Sequence, residues 1–452
     1  MEKIYAYIDQ NLERFIEELF VLLRQPSIST RWEGVEECGQ LLVEMMGKMG
    51  MKTKVLPMGG KRNPPLIYGE VINPQAQRTL LIYGHYDVQP PEPLAAWETP
   101  PFQPTIRNGR IYARGSADNK GQFFAHFKAI ESVVKIKGAL PINVKFMLDP
   151  EEEAGSPSLN EFCRKNKDLF AADVALNSDG PMDTSGRPRL SFGNRGVLYV
   201  EVTARGANQD FHSGNFGGPV PNPAWRLIEF LSSLRHPDGT VAIEGFYDHI
   251  VPPTPKEKEM MAKIPFDEKA FLERYGLKSF APPDDISFME KLMFRPTLNI
   301  AGLVSGYGGP GSKTVLPCQA TVKMDMRLVV NQDPEDIYQK FLKHMKKFGF
   351  MDLEAKMIHY YYPSRTPVDH PWAEKFVQAI RQGFAEEPVL VPSSGGSFPG
   401  AAISNILGIP ILSIPYGNHD ENNHAPNENL RIDCFRKGIR TTAALFFQLA
   451  EL

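Results

Sequence analysis

Cysteine is scarce in this sequence, and its few residues are far apart. Only Cys38, Cys163, Cys318 and Cys434 occur in 452 residues, and no two of them form a CxxC pair. This spacing argues against a disulfide framework and against a zinc site built from thiolates. Free thiols are typical of a reducing compartment, so the sequence predicts a cytoplasmic protein.

Long apolar runs are absent as well. No stretch approaches the roughly 18 uninterrupted apolar residues that a membrane-spanning helix needs. The chain begins with an acidic amphipathic pattern, MEKIYAYIDQNLERFIEELF, rather than with the charged and apolar regions of a signal peptide. We therefore expect no membrane partner.

The chain also has no surplus of charge of one sign. Lys and Arg total 50 and Asp and Glu total 53, which gives a formal net charge of −3. Proteins that bind nucleic acids or anionic membrane surfaces generally carry an excess of basic residues. The composition therefore predicts no nucleic-acid partner.

What the sequence does contain is enough apolar residues for large cores. Hydrophobic residues make up 42% of the chain, and a chain about three times the common single-domain length is expected to form two domains. Short apolar runs at 79–83, 143–148 and 174–177 are separated by helical patterns such as the one at 120–137. This alternation predicts an α/β catalytic domain with a mixed, largely parallel sheet flanked by helices.

The middle of the chain has a different pattern. Residues 197–203 and 320–328 alternate apolar and polar residues, as half-buried antiparallel strands do. Helical patterns at 223–234 and 334–348 begin at prolines, which suit the first turn of a helix. These elements predict an α+β two-layer sandwich inserted in the chain.

We place the inserted domain at residues 189–362, and the catalytic domain at 1–188 and 363–452. Within the inserted domain, residues 245–296 are rich in proline and charge. We predict that this segment, called the excursion below, is an irregular surface segment.

Polar residues follow the predicted strands at the edge of the sheet where open α/β folds bind ligands. The candidates share a position just after a predicted strand or before a predicted helix: His85, Asp87, Asp118, Glu151, Glu152, Glu153, Asp179, His419, His424 and Glu428. Imidazole and carboxylate groups are ligands for a borderline divalent metal such as zinc. These candidates are more numerous than the ligands of one tetrahedral site. They therefore predict two metals, about 3.5–4 Å apart, that are bridged by a carboxylate.

Each of these motifs alone has an ordinary explanation. The HxD pattern is common by chance, a run of glutamates often begins a solvated helix, and ADNKG can form a capped turn. The polar residues around His424 could form a simple loop. Their joint occurrence at one end of the predicted strands favours the metal site.

Several motifs occur in a fixed order along the chain: GHYDVQP, RGSADNKGQ, EEEAGS, the Asp179 turn, DFHSGNFGG and NNHAPNE. Together they resemble the aminoacylase/carboxypeptidase family of di-zinc exopeptidases, and most closely its cytosolic non-specific dipeptidase and carnosinase branch. The resemblance extends over essentially the whole chain. It implies that His85 and Asp179 bind one metal, that Glu153 and His424 bind the other, and that Asp118 bridges them.

The resemblance also implies supporting roles around these ligands. Asp87 would orient and polarise the His85 imidazole, as carboxylates often do behind a metal-bound histidine. The peptide bond between Asp118 and Asn119 would be cis. His419 and Glu428, which flank His424 in sequence, would lie behind the ligands.

The general base is expected in the glutamate run. When the Glu-Glu pair of the resembled family is aligned on Ala154 and the following Gly-Ser, Glu152 becomes the base and Glu153 the ligand. Because Glu151 is a third glutamate in the run, spacing alone leaves this alignment ambiguous by one residue. The chemistry needs a carboxylate beside the attacking water that is not itself a ligand.

The resemblance further implies substrate-binding residues: Arg327, Thr314, His359, Gly395, Gly396 and Ser397. Arg327 and Thr314 would hold the C-terminal carboxylate of the substrate, for which a guanidinium is well suited. His212 would stabilise the oxyanion in the active site of a partner subunit. Without the resemblance, Arg327 would be read as a surface charge, His212 as a histidine in a surface loop, and Gly395 and Gly396 as an ordinary turn. His359 matches a substrate histidine of the family only by its position along the chain.

These expectations predict a metallopeptidase that hydrolyses dipeptides or short peptides, using two zinc ions (or manganese or cobalt in their place) and a glutamate base. The resemblance implies that the inserted domain is a lid and dimerisation domain, so we expect a homodimer formed through its strand 197–203 and its helix 223–234. An N-acyl-amino-acid amidohydrolase would share every ligand, and a non-catalytic homologue could act as a binding protein. A two-metal phosphoesterase is a further alternative, although the sequence has no phosphate-cradling loop.

Overall fold

The computed structural model describes residues 1–60, 62–282 and 285–452. Its central element is a sheet of eight strands, which lie in the spatial order Lys52–Pro57, Pro65–Val71, Asn143–Asp149, Thr79–His85, Val174–Asn177, Ile411–Ser413, Arg189–Ser191 and Val389–Val391. The third to sixth strands in this order run parallel to one another, and antiparallel pairs flank them on both sides. The predicted mixed, largely parallel sheet is confirmed.

The strand Thr79–His85 shows why the sequence has a continuous apolar run here. Leu80 and Ile82 belong to the main hydrophobic core, whereas Leu81 and Tyr83 belong to a second core on the opposite side. A parallel strand that is covered on both faces needs apolar residues at every position rather than at alternate ones. The run ends where the strand reaches the polar edge.

Helices cover both faces of this sheet. The longer ones are Glu2–Gln10, Leu12–Arg24, Val35–Lys48, Lys120–Lys137, Leu159–Lys165, Trp372–Phe384 and Ile432–Ala450. Shorter elements of the same part of the chain are the helical turns Leu94–Ala96, Glu152–Ala154, Lys167–Phe170 and Ala402–Leu407, and the strands Thr105–Arg107, Arg110–Tyr112 and Asn429–Arg431. The helix Lys120–Lys137 is buried over most of its length and ends at Gly138, whose left-handed conformation (φ 85°) suits a helix C-terminus.

A second sheet of four antiparallel strands lies in the middle of the chain. Its spatial order is Thr297–Ser305, Gln319–Leu328, Gly196–Arg205 and Glu354–Tyr361. The helices Pro223–Ser233 and Pro334–Lys347 pack on one face, where Val200, Val202 and Met324 are fully buried. Asn222 and Asp333 cap these helices through their side chains. The predicted two-layer α+β sandwich is confirmed.

One detail of the sandwich differs from the prediction. The strand Gly196–Arg205 pairs with a neighbour on each side, so residues 197–203 cannot form the edge of the sheet and cannot dimerise through it. The edge strands are Thr297–Ser305 and Glu354–Tyr361. The prediction was wrong because apolar alternation reports one buried face and does not show whether a strand has one neighbour or two.

The excursion is more regular than predicted. Within its described part it contains the helices Pro255–Ala262, Glu268–Tyr275 and Phe288–Phe294. Their start signals are present in the sequence: Thr254 forms a reciprocal capping box with Glu257, and Asp267 and Ser287 cap the other two helices. The prediction of an irregular segment was wrong because short helices between prolines leave little apolar periodicity.

The two connections between the sheets lie side by side. Gly193–Asn194 pairs with Ser364–Arg365 as a short antiparallel ribbon. The strand Arg189–Ser191, just before this ribbon, belongs to the large sheet. The division of the chain at 188/189 and 362/363 stays a prediction.

Across the described ranges, none of the helices combines the length and the apolar character needed to cross a membrane.

Candidate metal centre

The carboxyl ends of the parallel strands meet at one edge of the large sheet, and polar side chains gather there. His85 ends its strand, Asp179 lies two residues beyond the next strand, and Glu153 follows the third. Asp118 comes from the turn before the long buried helix, and His424 comes from the loop after the fourth parallel strand. Residues distant in sequence are thus brought to one place, as expected for an open α/β sheet.

Two sets of potential ligands share Asp118. In one set, His85 Nε2 lies 3.0 Å from Asp118 Oδ1 and 3.7 Å from Asp179 Oδ2. In the other, His424 Nε2 lies 3.0 Å from Asp118 Oδ2 and 3.4 Å from Glu153 Oε2. The ligand atoms of each set all lie within 4.8 Å of one another, which is close enough to hold a metal ion. Each set uses a different oxygen of Asp118.

The chemistry of this donor set fits divalent cations. His85 Nε2 and Glu153 Oε1 are buried without a hydrogen-bond partner in the described part of the chain. Burial raises the pKa of Glu152 and Glu153 well above the usual range and also raises the pKa of Asp179, and the neighbouring carboxylates add to the effect. Buried carboxylates at such close quarters repel one another, so a bound cation would satisfy both their charge and the unpartnered atoms.

Asn119 holds the ligand-bearing loops together. Its Oδ1 accepts a hydrogen bond from the His85 N–H at 3.3 Å, and its Nδ2 donates to Ser178 O at 2.6 Å and to Asp179 Oδ1 at 3.1 Å. The peptide bond between Asp118 and Asn119 is cis, as the family resemblance implies. Asn119 therefore fixes the relative positions of three segments that carry ligands.

The glycine of the ADNKG motif has a packing role. A Cβ on Gly121 would lie 1.9 Å from Ser116 O, so only glycine allows the first turn of the helix to pack this closely against the turn that carries Asp118.

Asp87 joins the His85 strand to the glutamate run. Its Oδ1 lies 3.3 Å from His85 Nδ1 and accepts a hydrogen bond from the Glu152 N–H at 3.1 Å. Its Oδ2 accepts hydrogen bonds from the Glu153 N–H at 2.9 Å and from Ser29 Oγ at 2.5 Å. Asp87 can therefore orient the histidine and position both glutamates. Sequence reasoning missed Ser29, which lies far away in the chain within no recognisable motif.

The three consecutive glutamates have different surroundings. Glu151 Oε1 accepts a hydrogen bond from the Ser158 N–H at 2.9 Å, so its side chain is engaged outside both ligand sets. Glu153 lies in a ligand set, and Gln89 donates to its Oε2 at 2.7 Å. Glu152 belongs to neither set, and its backbone carbonyl accepts a hydrogen bond from Tyr361 at 2.9 Å. Gln89 was also missed as a site residue, although the motif GHYDVQP contains it.

Glu428 supports the turn that carries Asp118. Its Oε1 accepts hydrogen bonds from the Ala117 and Asp118 N–H groups, both at 2.9 Å. Its Oε2 accepts from the Gly115 N–H at 3.0 Å and from Arg114 Nη1 at 2.7 Å, and the two side chains of this ion pair are almost fully buried. His419, by contrast, is exposed and lies in neither ligand set.

We expect Glu428→Ala to destabilise the protein by about 3–5 kcal/mol, because it leaves the buried Arg114 guanidinium without its counter-charge. The free energy of urea unfolding measures this effect. Glu161→Ala is the matched control, since its ion pair with Lys165 is 70% exposed on both sides and such pairs contribute at most about 1 kcal/mol. Equal small losses in both variants would contradict the supporting role of Glu428.

Three of the predicted substrate residues, Arg327, Ser397 and His359, lie near one another. Arg327 Nη1 donates to Ser397 Oγ at 2.9 Å, and its Nε donates to Asp325 Oδ2 at 3.2 Å. His359 stacks on Tyr199 at a centroid distance of 5.2 Å and packs against Gly155. Burial lowers the pKa of His359, and the neighbouring charge of Arg327 lowers it further. The lid sheet thus meets the catalytic domain here.

His212 and Thr314 form a separate pair. Both are exposed, and His212 Nε2 lies 3.3 Å from Thr314 Oγ1. They lie on or beside the two-stranded ribbon Phe211–His212 and Val315–Leu316. Within the part of the chain that the structure describes, no hydrogen bond joins this pair to Arg327 or Ser397. The structure therefore places Thr314 with His212 rather than with the arginine.

The fold and the ligand sets define a metal-dependent hydrolase with an α/β catalytic sheet and a lid domain. A sequence profile of peptidase family M20/M25/M40 matches residues 81–448, and the chain belongs to this family. It is a metallopeptidase, a hydrolase of peptide bonds.

Curated relatives of known name span the full chain. The beta-Ala-His dipeptidase of Homo sapiens is 29% identical over 481 residues, which cover 100% of this chain and 93% of the relative. The Cys-Gly metallodipeptidase dug1 of Schizosaccharomyces pombe is 29% identical over 471 residues, which cover 100% of this chain and 99% of the relative. The resemblance to the dipeptidase and carnosinase branch is confirmed.

Solved structures agree with the fold. An M20 family metallo-carboxypeptidase from Sulfolobus solfataricus is 36% identical, with a TM-score of 0.90 and coverage of 97% of this chain and 99% of that one. Human carnosine dipeptidase 1 is 28% identical, with a TM-score of 0.84 and full coverage of both chains.

Proposed function

We propose that this metallopeptidase is a dipeptidase that uses two divalent metal ions. The observation that carries the proposal is the pair of ligand sets that share Asp118, with Glu152 beside them and outside both. The relatives named as dipeptidases, which align over the whole chain, support the substrate class. Zinc suits the mixture of imidazole and carboxylate ligands, and manganese or cobalt would be accepted by the same groups.

In this proposal, His85 and Asp179 would hold one ion, Glu153 and His424 would hold the other, and Asp118 would contribute to both sites. When bound, the ions would lower the pKa of a water molecule and polarise the scissile carbonyl. Asp87 holds the His85 ring in the orientation in which Nε2 faces the ligand set.

Glu152 is proposed as the general base and acid. The Ser158 N–H donates a hydrogen bond to Glu151, and Glu153 belongs to a ligand set. Glu152, between them, is the glutamate that remains available to exchange protons. It would take a proton from the attacking water and then deliver it to the amine that leaves. Asp87 and Tyr361 hold the backbone of Glu152, and this restricts the reach of its carboxylate.

Arg327 is proposed as the anchor for the C-terminal carboxylate of the substrate, with Ser397, Gly396 and His359 around it. The Ser397 hydroxyl already accepts a hydrogen bond from the guanidinium, so both groups face the same space. A guanidinium binds a carboxylate through parallel N–H groups.

We expect Arg327→Ala to raise the Michaelis constant strongly for free dipeptides and much less for C-terminally amidated ones, because the charge-assisted contact needs the free carboxylate. Steady-state kinetics on both substrates measure the difference. Arg205→Ala is the matched control, because Arg205 lies on the same sheet but pairs with Glu354 in an exposed position. Equal losses on both substrates would reject the anchor.

The proposed assembly is a homodimer through the lid domain. The surface that supports it is formed by the edge strand Thr297–Ser305 and the helix Pro223–Ser233. Its large exposed apolar residues are Ile300, Leu303 and Val304 on the strand and Trp225 and Ile228 on the helix. An unpaired edge with apolar side chains favours association with a second copy through a two-fold axis. His212 and Thr314, exposed in one chain, would complete the active site of the other.

A substrate panel tests the proposed function. We expect the metal-loaded protein to hydrolyse dipeptides with a free amine more efficiently than N-acetyl amino acids and more efficiently than longer peptides. Preference for N-acyl substrates would identify an N-acyl-amino-acid amidohydrolase instead. Efficient release of C-terminal residues from longer peptides would identify a carboxypeptidase.

A further inference from the structure

A pocket of about 530 Å³ lies between the excursion and the rest of the lid domain, apart from the ligand sets. The excursion contributes Tyr247, Phe280, Phe288 and Lys291 to its wall, and the rest of the lid domain contributes Arg235 and the first residues of the strand Thr297–Ser305. Its volume is typical of sites that bind small molecules. No residue of the candidate metal centre lines it among the described residues.

The charged side chains that line the pocket and are described are all basic: Arg195, Arg235, Lys291 and Arg295. Arg195, Arg235 and Lys291 donate to the backbone carbonyls of Gly395, Gly239 and Ala281 rather than to carboxylates. Arg295 has one acidic neighbour, Glu290 Oε1, at 3.5 Å. Four cations with so few counter-charges make a positive potential that attracts an anion.

The rest of the pocket wall is largely apolar and aromatic. The rings of Phe280 and Phe288 are 5.0 Å apart, and Phe288 also stacks on Phe266 at 4.4 Å. The Tyr247 hydroxyl accepts a hydrogen bond from the Val241 N–H at 2.8 Å, which fixes that ring in place. Aromatic walls of this kind favour a flat ring in the ligand.

One group in the pocket lacks a partner that a ligand could supply, and another is a buried cation. The Oγ1 of Thr297 is buried without a hydrogen-bond partner among the described residues. Arg195 is only 8% exposed, and its burial together with the neighbouring charge of Arg327 lowers its pKa to about 10, although the carboxylate of Asp325 acts in the opposite direction. The Thr297 hydroxyl and the buried Arg195 guanidinium therefore give the pocket a polar floor.

We propose that this pocket binds a small organic anion in which a carboxylate is attached to an aromatic ring. The carboxylate would contact the cluster of Arg195, Lys291 and Arg295, and the ring would lie against Phe288 and Tyr247. The site differs from the proposed carboxylate anchor, because Arg327 is turned towards Ser397 and does not line this pocket. Guanidinium and ammonium groups recognise carboxylates through charge-assisted hydrogen bonds.

The test uses 4-bromobenzoate as the probe and the metal-loaded enzyme as the protein. Calorimetric titration is expected to show saturable binding, and 4-bromobenzamide, which has the same ring without the charge, is expected to bind at least about tenfold more weakly. Crystals soaked in the probe are expected to give a bromine anomalous peak beside Phe288 and Tyr247, at the end of the ring opposite the carboxylate and away from Arg195, Lys291 and Arg295.

Variants separate this pocket from other anion sites. The double variant Lys291→Gln/Arg295→Gln should lose about tenfold or more in affinity, while Lys269→Gln, which removes a cation that is 87% exposed elsewhere on the excursion, should bind as the parent does. The proposal is overturned if the amide binds as tightly as the acid, if the double variant binds unchanged, or if bromine appears only at the metal centre or beside Arg327.

Discussion

Glu152→Gln is expected to retain the full complement of bound metal while turnover falls by between about 10²- and 10⁴-fold, the usual contribution of a general acid or base. The substitution keeps the shape of the side chain but removes its ability to take a proton from water. Glu152 lies outside both ligand sets, so the metal should stay. Metal content by plasma mass spectrometry and turnover of a dipeptide measure the two effects separately.

The neighbouring glutamates provide matched controls for this prediction. Glu153→Gln should lower metal occupancy, because Glu153 lies in the set with Asp118 and His424. Glu151→Gln should change neither metal content nor turnover greatly, because its side chain is engaged by the Ser158 N–H. If Glu152→Gln loses metal while Glu153→Gln retains it, the assignment of base and ligand is wrong by one residue.

His212→Ala should lower turnover by about 10²–10³-fold, the usual cost of losing one donor to a developing oxyanion. In the proposed dimer this histidine acts in the active site of the partner subunit. Mixing His212→Ala chains with Glu152→Gln chains should therefore restore activity, since one of the two sites in each heterodimer has both residues intact. Dipeptide turnover after subunit exchange measures the recovery.

A variant at the dimer surface complements this experiment. Val304 is 73% exposed on the edge strand, and Val304→Asp should give monomers with low activity, because a buried charge opposes association. Val55→Asp, at a position 49% exposed on the outer strand Lys52–Pro57 of the large sheet, is the matched substitution outside this surface. Mixed chains that exchange subunits without recovery of activity, or a fully active monomer, would reject catalysis by His212 in the partner site.

Much of the fold follows from simple patterns in the sequence. The apolar runs before His85 and before Asp179 stop where the strands leave the core, so both the strands and the polar edge could be predicted. The helix Lys120–Lys137 could be placed because a turn precedes it and a left-handed glycine follows it. The ligand sets could be predicted because strand ends and motif order both pointed to the same residues.

Other features depend on contacts between distant parts of the chain. The interior position of Gly196–Arg205 depends on its two partner strands, which alternation within the strand does not reveal. Ser29, Gln89 and Asn119 act by hydrogen bonding to ligand-bearing segments, and a polar residue in a loop gives no sign of its partner. The basic pocket is likewise assembled from side chains far apart in sequence, so composition could not reveal it.

The central claim is that Asp118 joins two metal ions at the edge of the large sheet, and anomalous diffraction from crystals of the zinc-loaded enzyme tests it most directly. The account predicts two zinc peaks per chain, roughly 3.5–4 Å apart, one contacted by His85 and Asp179 and the other by Glu153 and His424, with a different oxygen of Asp118 on each. A single peak, or two peaks that do not share Asp118, would contradict it.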